Sequence, residues 1–256
     1  MERKIYYEST DNIKLCGLLN VVNTDKKIVI LCHGLTSNKE SNGFNLLVRK
    51  LEEEKINSFR FDFRSLGESS GDFINMTPQK EVSDLRTTVE YLIRLGYEEM
   101  IILGTSFGGS IVSLFDYEKY DCIKGIILWY SALDYMVFTD NNSFFSKENK
   151  DIVDKCGYFE MTNRNNDSFK LGKELYKEVY NLVPYKNIID LEIPILFVHG
   201  LNDEIVPYEL SIKVSKMCKM AKLELIENGN HSFKSDISTL NKAVDVTLDF
   251  IQKIFK

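Results

Sequence analysis

Gly104-Thr105-Ser106-Phe107-Gly108 follows the apolar run Met100–Leu103 and leads into Gly109-Ser110-Ile111-Val112, which reads as the start of a helix. The G-x-S-x-G pattern is weak evidence alone; its position between a strand and a helix gives it meaning. A serine at a sharp strand-to-helix turn sits in strained backbone, and side chains two residues to either side would collide. Glycines at 104 and 108 remove them. The Phe107 N–H is then left at a helix N-terminus, without a helical acceptor and oriented toward negative charge. The stretch presents Ser106 as a nucleophile at the end of a strand, against the plainer reading of a bystander serine in a glycine-rich turn.

Outward from this turn, short apolar runs alternate with amphipathic stretches. Strand-like runs occupy Lys4–Glu8, Lys14–Val21, Ile28–Cys32, Ser58–Phe63, Met100–Leu103, Ile123–Trp129, Ile193–Val198 and Lys222–Ile226. From Ile28 onward they are almost continuously apolar, as strands of a parallel sheet buried on both faces are. Phe44, Leu47, Val48 and Leu51 recur with helical spacing. So do Val82, Leu85, Val89 and Leu92 behind Thr77-Pro78, an N-cap followed by proline, and Leu240, Ala243, Val244, Leu248 and Ile251. This rhythm predicts a doubly wound, mostly parallel eight-stranded α/β sheet, with its first two strands as an antiparallel edge.

Between Ser131 and Asn187 the rhythm stops. The interval is Asn-rich around Asn141-Asn142 and Asn163–Asn166 and has a helix-like piece near Leu171–Val183. It also carries ten aromatics: Tyr135, Phe138, Phe144, Phe145, Tyr158, Phe159, Phe169, Tyr176, Tyr180 and Tyr185. A structureless loop of such length is improbable in a compact domain, so residues 131–187 are expected to form a small cap inserted after the sixth strand, with 1–130 and 188–256 as the core.

A nucleophilic serine needs a base, and the chain has three histidines. His33 and His199 end apolar runs and read as structural. His231 lies in the polar loop Glu227-Asn228-Gly229-Asn230-His231 beyond the last strand, where a catalytic imidazole is expected. Asp203, in the loop after Ile193–Val198, is the expected orienting acid, with Glu204 and Asp134 as rivals. The order Ser106, Asp203, His231 is that of a nucleophile-elbow hydrolase. A second backbone donor facing the Phe107 N–H is expected from Leu35, in the loop after the third strand. Cys32, at a buried strand end, reads as an inert core thiol.

Composition narrows the classes. The 256 residues are 44% hydrophobic and 27% charged, a globular balance, and the net charge of −6 opposes non-specific nucleic-acid binding. No apolar run is long enough to span a bilayer, and charges interrupt the first twenty residues, so neither a membrane role nor a secretory signal is expected. Five scattered cysteines, odd in number and with no Cys-x-x-Cys pair, fit free thiols in a cytoplasmic setting and no metal site.

Four landmarks together resemble the α/β-hydrolase superfamily: His33-Gly34, Gly104-x-Ser106-x-Gly108, His199-Gly200-x-x-Asp203-x-x-Val206-Pro207 and Gly229-x-His231. Asp62-Phe63-Arg64-Ser65-Leu66-Gly67-Glu68-Ser69 is similar to that family's D-x-R-G-x-G-x-S loop, with Ser65 in place of glycine. Within the superfamily the chain is most similar to single-cap bacterial carboxylesterases of the cinnamoyl (feruloyl) esterase type. That resemblance implies a serine carboxylesterase without cofactor or metal, acting on small to medium hydrophobic or aromatic-acid esters. It also implies Tyr176 as a cap tyrosine that holds an aromatic acid's hydroxyl, against the alternative of a residue packed within the cap. Those esterases carry an acidic residue early in the cap, where this chain has Val137. The serine aminopeptidase and monoacylglycerol-lipase groups share the landmarks; an aminopeptidase would need a cap carboxylate such as Glu160, Glu174 or Glu178. An acyltransferase or a catalytically idle binding protein on the same fold are further alternatives.

Overall fold

Alternate residues of the central strands go to opposite faces, and each face has its own core. Ile28, Ile30 and Cys32 point to one side while Val29 and Leu31 point to the other, and Ile195 and Phe197 separate from Leu196 and Val198 in the same way. A computed structural model describes residues 2–139, 143–163, 166–234 and 236–256 of the chain. Its main sheet has eight strands in the order β1-β2-β4-β3-β5-β6-β9-β10. These are β1 (Glu2–Glu8), β2 (Lys14–Asn20), β3 (Lys27–Cys32), β4 (Asn57–Asp62), β5 (Glu99–Thr105), β6 (Ile123–Trp129), β9 (Ile195–Gly200) and β10 (Ala221–Ile226). β2 runs antiparallel to both β1 and β4, and the remaining pairings are parallel.

Helices cover both faces. α1 (Asn42–Glu53) and α7 (Ile237–Ile254) pack on one side; α2 (Pro78–Arg94), α3 (Phe107–Ser113) and α6 (Tyr208–Ser215) pack on the other. The Thr77 hydroxyl accepts from the Lys80 N–H, so α2 starts where the Thr-Pro pair predicts. Its stripe of Val82, Leu85, Val89 and Leu92 is fully buried, which contributes about 1.5–3 kcal/mol per side chain. The sheet order crosses over between β3 and β5, so the loops after β3, β5, β6, β9 and β10 gather at one sheet edge.

The interval between β6 and β9 is more structured than its sequence shows. It contains α4 (Lys147–Cys156), a hairpin of β7 (Tyr158–Thr162) and β8 (Ser168–Gly172), and α5 (Lys173–Val179). The predicted helix-like piece is shorter than Leu171–Val183, because Leu171 and Gly172 pair in β8 and Gly172 is the N-cap. Asn141, Asn142 and two residues of the second Asn-rich stretch lie outside the described residues. β9 starts at Ile195 because Pro194 has no N–H to give the sheet.

Candidate active site

Ser106 sits between β5 and α3 with φ 50° and ψ −119°, a conformation that disfavours any side chain. Neighbours hold it there. Its N–H donates to the Trp129 carbonyl at 3.0 Å, and its carbonyl accepts from Gly109 at 3.0 Å and Ala132 at 3.1 Å. A Cβ on Gly104 would lie 2.6 Å from the Gly108 carbonyl oxygen. One on Gly108 would lie 2.6 Å from the Cys32 carbonyl oxygen and against that of His33. The flanking glycines therefore let α3 close down on the ends of β3 and β5.

The loop after β10 brings His231 to this serine. The His231 Nε2 is 3.1 Å from Ser106 Oγ, and its Nδ1 is 3.0 and 2.9 Å from the two carboxylate oxygens of Asp203. A carboxylate only accepts, so Nδ1 carries the ring proton and Nε2 is left as an acceptor for the serine O–H. The Asp203 side chain is fully buried. Burial pushes its pKa up, but hydrogen bonds from His199 and His231, with the His231 charge, outweigh it and hold the carboxyl well below the usual range. Its Oδ1 also accepts from the Ile205 and Val206 N–H groups, at 2.9 Å each. The rival acids are elsewhere in role: Glu204 Oε2 accepts from the His231 N–H at 3.2 Å, and Asp134 caps the turn after β6 through the Met136 N–H.

Leu35 and Phe107 both border the pocket that Ser106 opens into. Phe107 is the first residue of α3, so its N–H has no acceptor within the helix. Leu35 lies inside the turn closed by the Ser37 N–H on the Gly34 carbonyl. Two residues fasten that loop. His33 donates from Nδ1 to the Gly34 carbonyl at 2.9 Å and accepts the Phe63 N–H at Nε2 at 3.0 Å; burial pushes its pKa down, consistent with a neutral ring. Lys39 donates from its backbone N–H and its Nζ to the buried Asp62 carboxylate, at 2.8 and 2.6 Å. The same carboxylate accepts the Glu68 N–H, so Asp62 ties the Leu35 loop to the loop after β4. Ser65, in that second loop, has φ 66°.

The pocket has a volume of about 480 Å³. Phe107, Tyr130, Tyr135, Phe138, Phe144, Phe145, Met161 and Val206 supply its apolar wall; Thr36, Ser37, Asn38, Glu40 and Lys234 supply a polar one. Four of the ten aromatics between β6 and β9 thus reach it. Tyr176, expected from the resemblance to hold a substrate hydroxyl, is not among the residues that line the pocket. It is buried on α5 behind the pocket wall, where its ring packs edge-on to Phe145 and its hydroxyl donates to the Phe144 carbonyl. With Tyr180, which donates to the Phe145 carbonyl at 2.7 Å, it fixes the backbone that presents two phenylalanines to the pocket. Glu160, Glu174 and Glu178 do not line it either, and Glu178 caps the start of α2 by accepting the Gln79 N–H.

Sequence reasoning missed two residues here. Tyr130, at the end of β6, packs its ring edge-on to the His231 imidazole with centroids 4.8 Å apart. His199, read as structural, lies 3.0 Å from Asp203. A polar residue ending an otherwise apolar strand at the loop-bearing edge was the available signal for it. Cys32 is buried, and burial pushes its thiol pKa well up, away from nucleophilic use. Among the described residues no group of three or more His, Cys, Asp or Glu side chains is arranged to hold a metal ion, and no helix is long and apolar enough to cross a membrane.

A chain with this architecture has close structural counterparts. Est1E from Butyrivibrio proteoclasticus, solved with ferulic acid bound, superposes with a TM-score of 0.84 at 25% identity, covering 98% of this chain and 99% of that one. The chain has the α/β-hydrolase fold. A family model described as serine aminopeptidase, S33, matches residues 23–144 of this chain. YfhR of Salmonella typhi is 25% identical over 232 residues, 88% of this chain and 70% of its own length. Bovine mitochondrial palmitoyl-protein thioesterase ABHD10 is 22% identical over 201 residues, 76% of this chain and 64% of its own length. The chain thus spans about two thirds of the length of these relatives. The fold and the thioesterase relative are those of hydrolases.

Proposed function

We propose that this protein is a serine carboxylesterase that works through an acyl-enzyme. The observation that carries this is the hydrogen-bonded row from Ser106 Oγ through His231 to a buried, anionic Asp203, opening on an aromatic-walled pocket. Ser106 attacks the ester carbonyl as His231 Nε2 takes its proton, and Asp203 stabilises the imidazolium that forms. The Leu35 and Phe107 N–H groups hold the oxyanion, together worth several kcal/mol. His231 returns the proton to the leaving alkoxide, and water repeats the sequence to free the acid.

Residues 131–187 serve as the cap, and their phenylalanines with Tyr135 favour small to medium hydrophobic or aromatic acyl groups. Two observations favour ester over aminoacyl substrates. The carboxylates expected to bind an ammonium in the cap lie off the pocket, and among the described residues the carboxylate on its wall is Glu40, which is exposed on the polar side. The chemistry needs no cofactor, and a cytoplasmic setting suits the free thiols.

The test is labelling by a fluorophosphonate together with initial rates on one panel: short and long p-nitrophenyl esters, methyl ferulate, an acyl thioester and aminoacyl amides. Ester turnover and labelling that both vanish in Ser106→Ala support the reading. Turnover of aminoacyl amides alone moves the protein to the peptidase class, and turnover that survives Ser106→Ala overturns the reading.

A further inference from the structure

We propose that His199 and Ser211 are positioning residues that lengthen the row to five members, Ser211, His199, Asp203, His231 and Ser106; this rests on the esterase reading of the last three. The His199 side chain is fully buried at the end of β9. Its Nε2 is 3.0 Å from Asp203 Oδ2 and 3.1 Å from the Val206 carbonyl oxygen. Both of those groups only accept, so Nε2 carries a proton. In the neutral ring Nδ1 is then an acceptor, and it lies 2.7 Å from the buried Ser211 Oγ on α6. The hydroxyl on α6 donates to that Nδ1 and so supports the tautomer that aims an N–H at the acid.

The two oxygens of Asp203 are served unequally. His231 Nδ1 lies within 3.0 Å of both; beyond it, Oδ1 takes the Ile205 and Val206 N–H groups, whereas Oδ2 has His199 as its partner. Losing that partner would free the carboxylate plane to rotate and would leave more negative charge on the carboxylate that faces His231. The first effect slows turnover. The second strengthens the pull on the second proton of His231, so the general base is lost at a higher pH. His199 therefore fixes the geometry and extends activity toward acid. The other groups facing this part of the row are Glu204, on the His231 N–H, and Tyr130, whose ring packs on His231 and whose phenol feels the Asp203 charge.

Full-length His199→Leu, His199→Gln, Ser211→Ala and Ser211→Thr would be compared with wild type on p-nitrophenyl butyrate across pH. The low-field NMR signal of the proton between His231 and Asp203 would be recorded for each; it needs no turnover. In His199→Leu and Ser211→Ala, kcat falls roughly tenfold while KM changes less than about twofold, and the acid limb moves up by about half a pH unit. His199→Gln and Ser211→Thr, which keep a donor and a hydroxyl, bring the limb back toward wild type. A folded His199→Leu with the wild-type profile overturns the proposal, as does a His199→Gln no closer to wild type than leucine. If leucine prevents folding, an unchanged profile in Ser211→Ala overturns it. If the wild type turns over no ester, the esterase reading fails separately, and the low-field proton decides: a shift in Ser211→Ala supports the relay, and an unmoved signal refutes it.

Discussion

Replacing Asp203 by Asn keeps the shape of the side chain, removes its charge and turns one of its two acceptors into a donor. The Ile205 and Val206 N–H groups hold an oxygen at the Oδ1 place, so the new amide nitrogen must stand where Oδ2 stands. There it faces His231 Nδ1 at 2.9 Å and His199 Nε2 at 3.0 Å with a donor, and the oxygen left 3.0 Å from His231 Nδ1 is already engaged by two N–H groups. His231 then prefers the opposite tautomer, with its proton on Nε2, and Ser106 Oγ at 3.1 Å meets a donor instead of a base. The expected loss in kcat is roughly 10³–10⁴-fold, about 4–5.5 kcal/mol of transition-state stabilisation, with little change in KM.

The same exchange sets donor against donor in a buried site, which costs about 1–3 kcal/mol of stability near neutral pH. Its pH dependence has a definite sign. The folded-state pKa of Asp203 is depressed, so its contribution is present above the unfolded carboxylate value near pH 4 and is lost as pH falls through the folded value. The stability gap between wild type and Asp203→Asn should therefore narrow on acidification below about pH 4. Initial rates on p-nitrophenyl butyrate and urea unfolding at several pH values read both effects. An Asn variant that keeps more than about a tenth of wild-type kcat would refute the tautomer argument.

Tyr176→Phe removes only a hydrogen bond to the Phe144 carbonyl; it should lower stability by about 1 kcal/mol and leave KM for methyl ferulate within about threefold, as urea unfolding and steady-state kinetics would register. Ser65→Gly relieves a φ of 66° and should leave stability unchanged or raise it by up to about 1 kcal/mol, since glycine's extra unfolded-state entropy offsets part of the relief. Glu81, on α2, is raised well above the usual carboxylate range, first by burial and then by the Asp84 charge. A raised carboxyl stabilises below its unfolded value and loses that contribution as pH rises through the folded one, so urea midpoints of Glu81→Gln should pull ahead of wild type from about pH 4 upward, by at most about 1.4 kcal/mol per pH unit.

What was readable from the sequence follows from how each feature is encoded. The buried parallel strands announce themselves because both faces of β3, β5, β6 and β9 need apolar side chains, so burial leaves a continuous run. The elbow is encoded in two glycines, since close approach admits nothing else at 104 and 108. Ser106, Asp203 and His231 lie 97 and 28 positions apart, yet each stands at the C-terminal end of a parallel strand, and the sheet alone brings them together. His199 was harder: a buried histidine that ends a strand looks the same in sequence whether its ring fills space or grips a carboxylate, and only the neighbour's geometry separates the two.

The interval between β6 and β9 fails to be legible for a different reason. Its elements are short, partly exposed and backed by few layers, so no periodicity marks α4 or the β7–β8 hairpin. Its aromatics carry two tasks that composition cannot separate. Phe144 and Phe145 give their rings to the pocket, while Tyr176 and Tyr180 give their hydroxyls to the carbonyls of those same two residues. A tyrosine in such a segment is read as a ligand contact because a buried phenol needs a partner. Here the partner is backbone, and that is the more economical use. A phenol bonded to a carbonyl fixes a loop that has no strand or helix of its own to stiffen it. The pocket wall is thus tied to α5 at two points, so losing one hydroxyl leaves the other holding, and pocket shape should respond only when both Tyr176 and Tyr180 lose theirs.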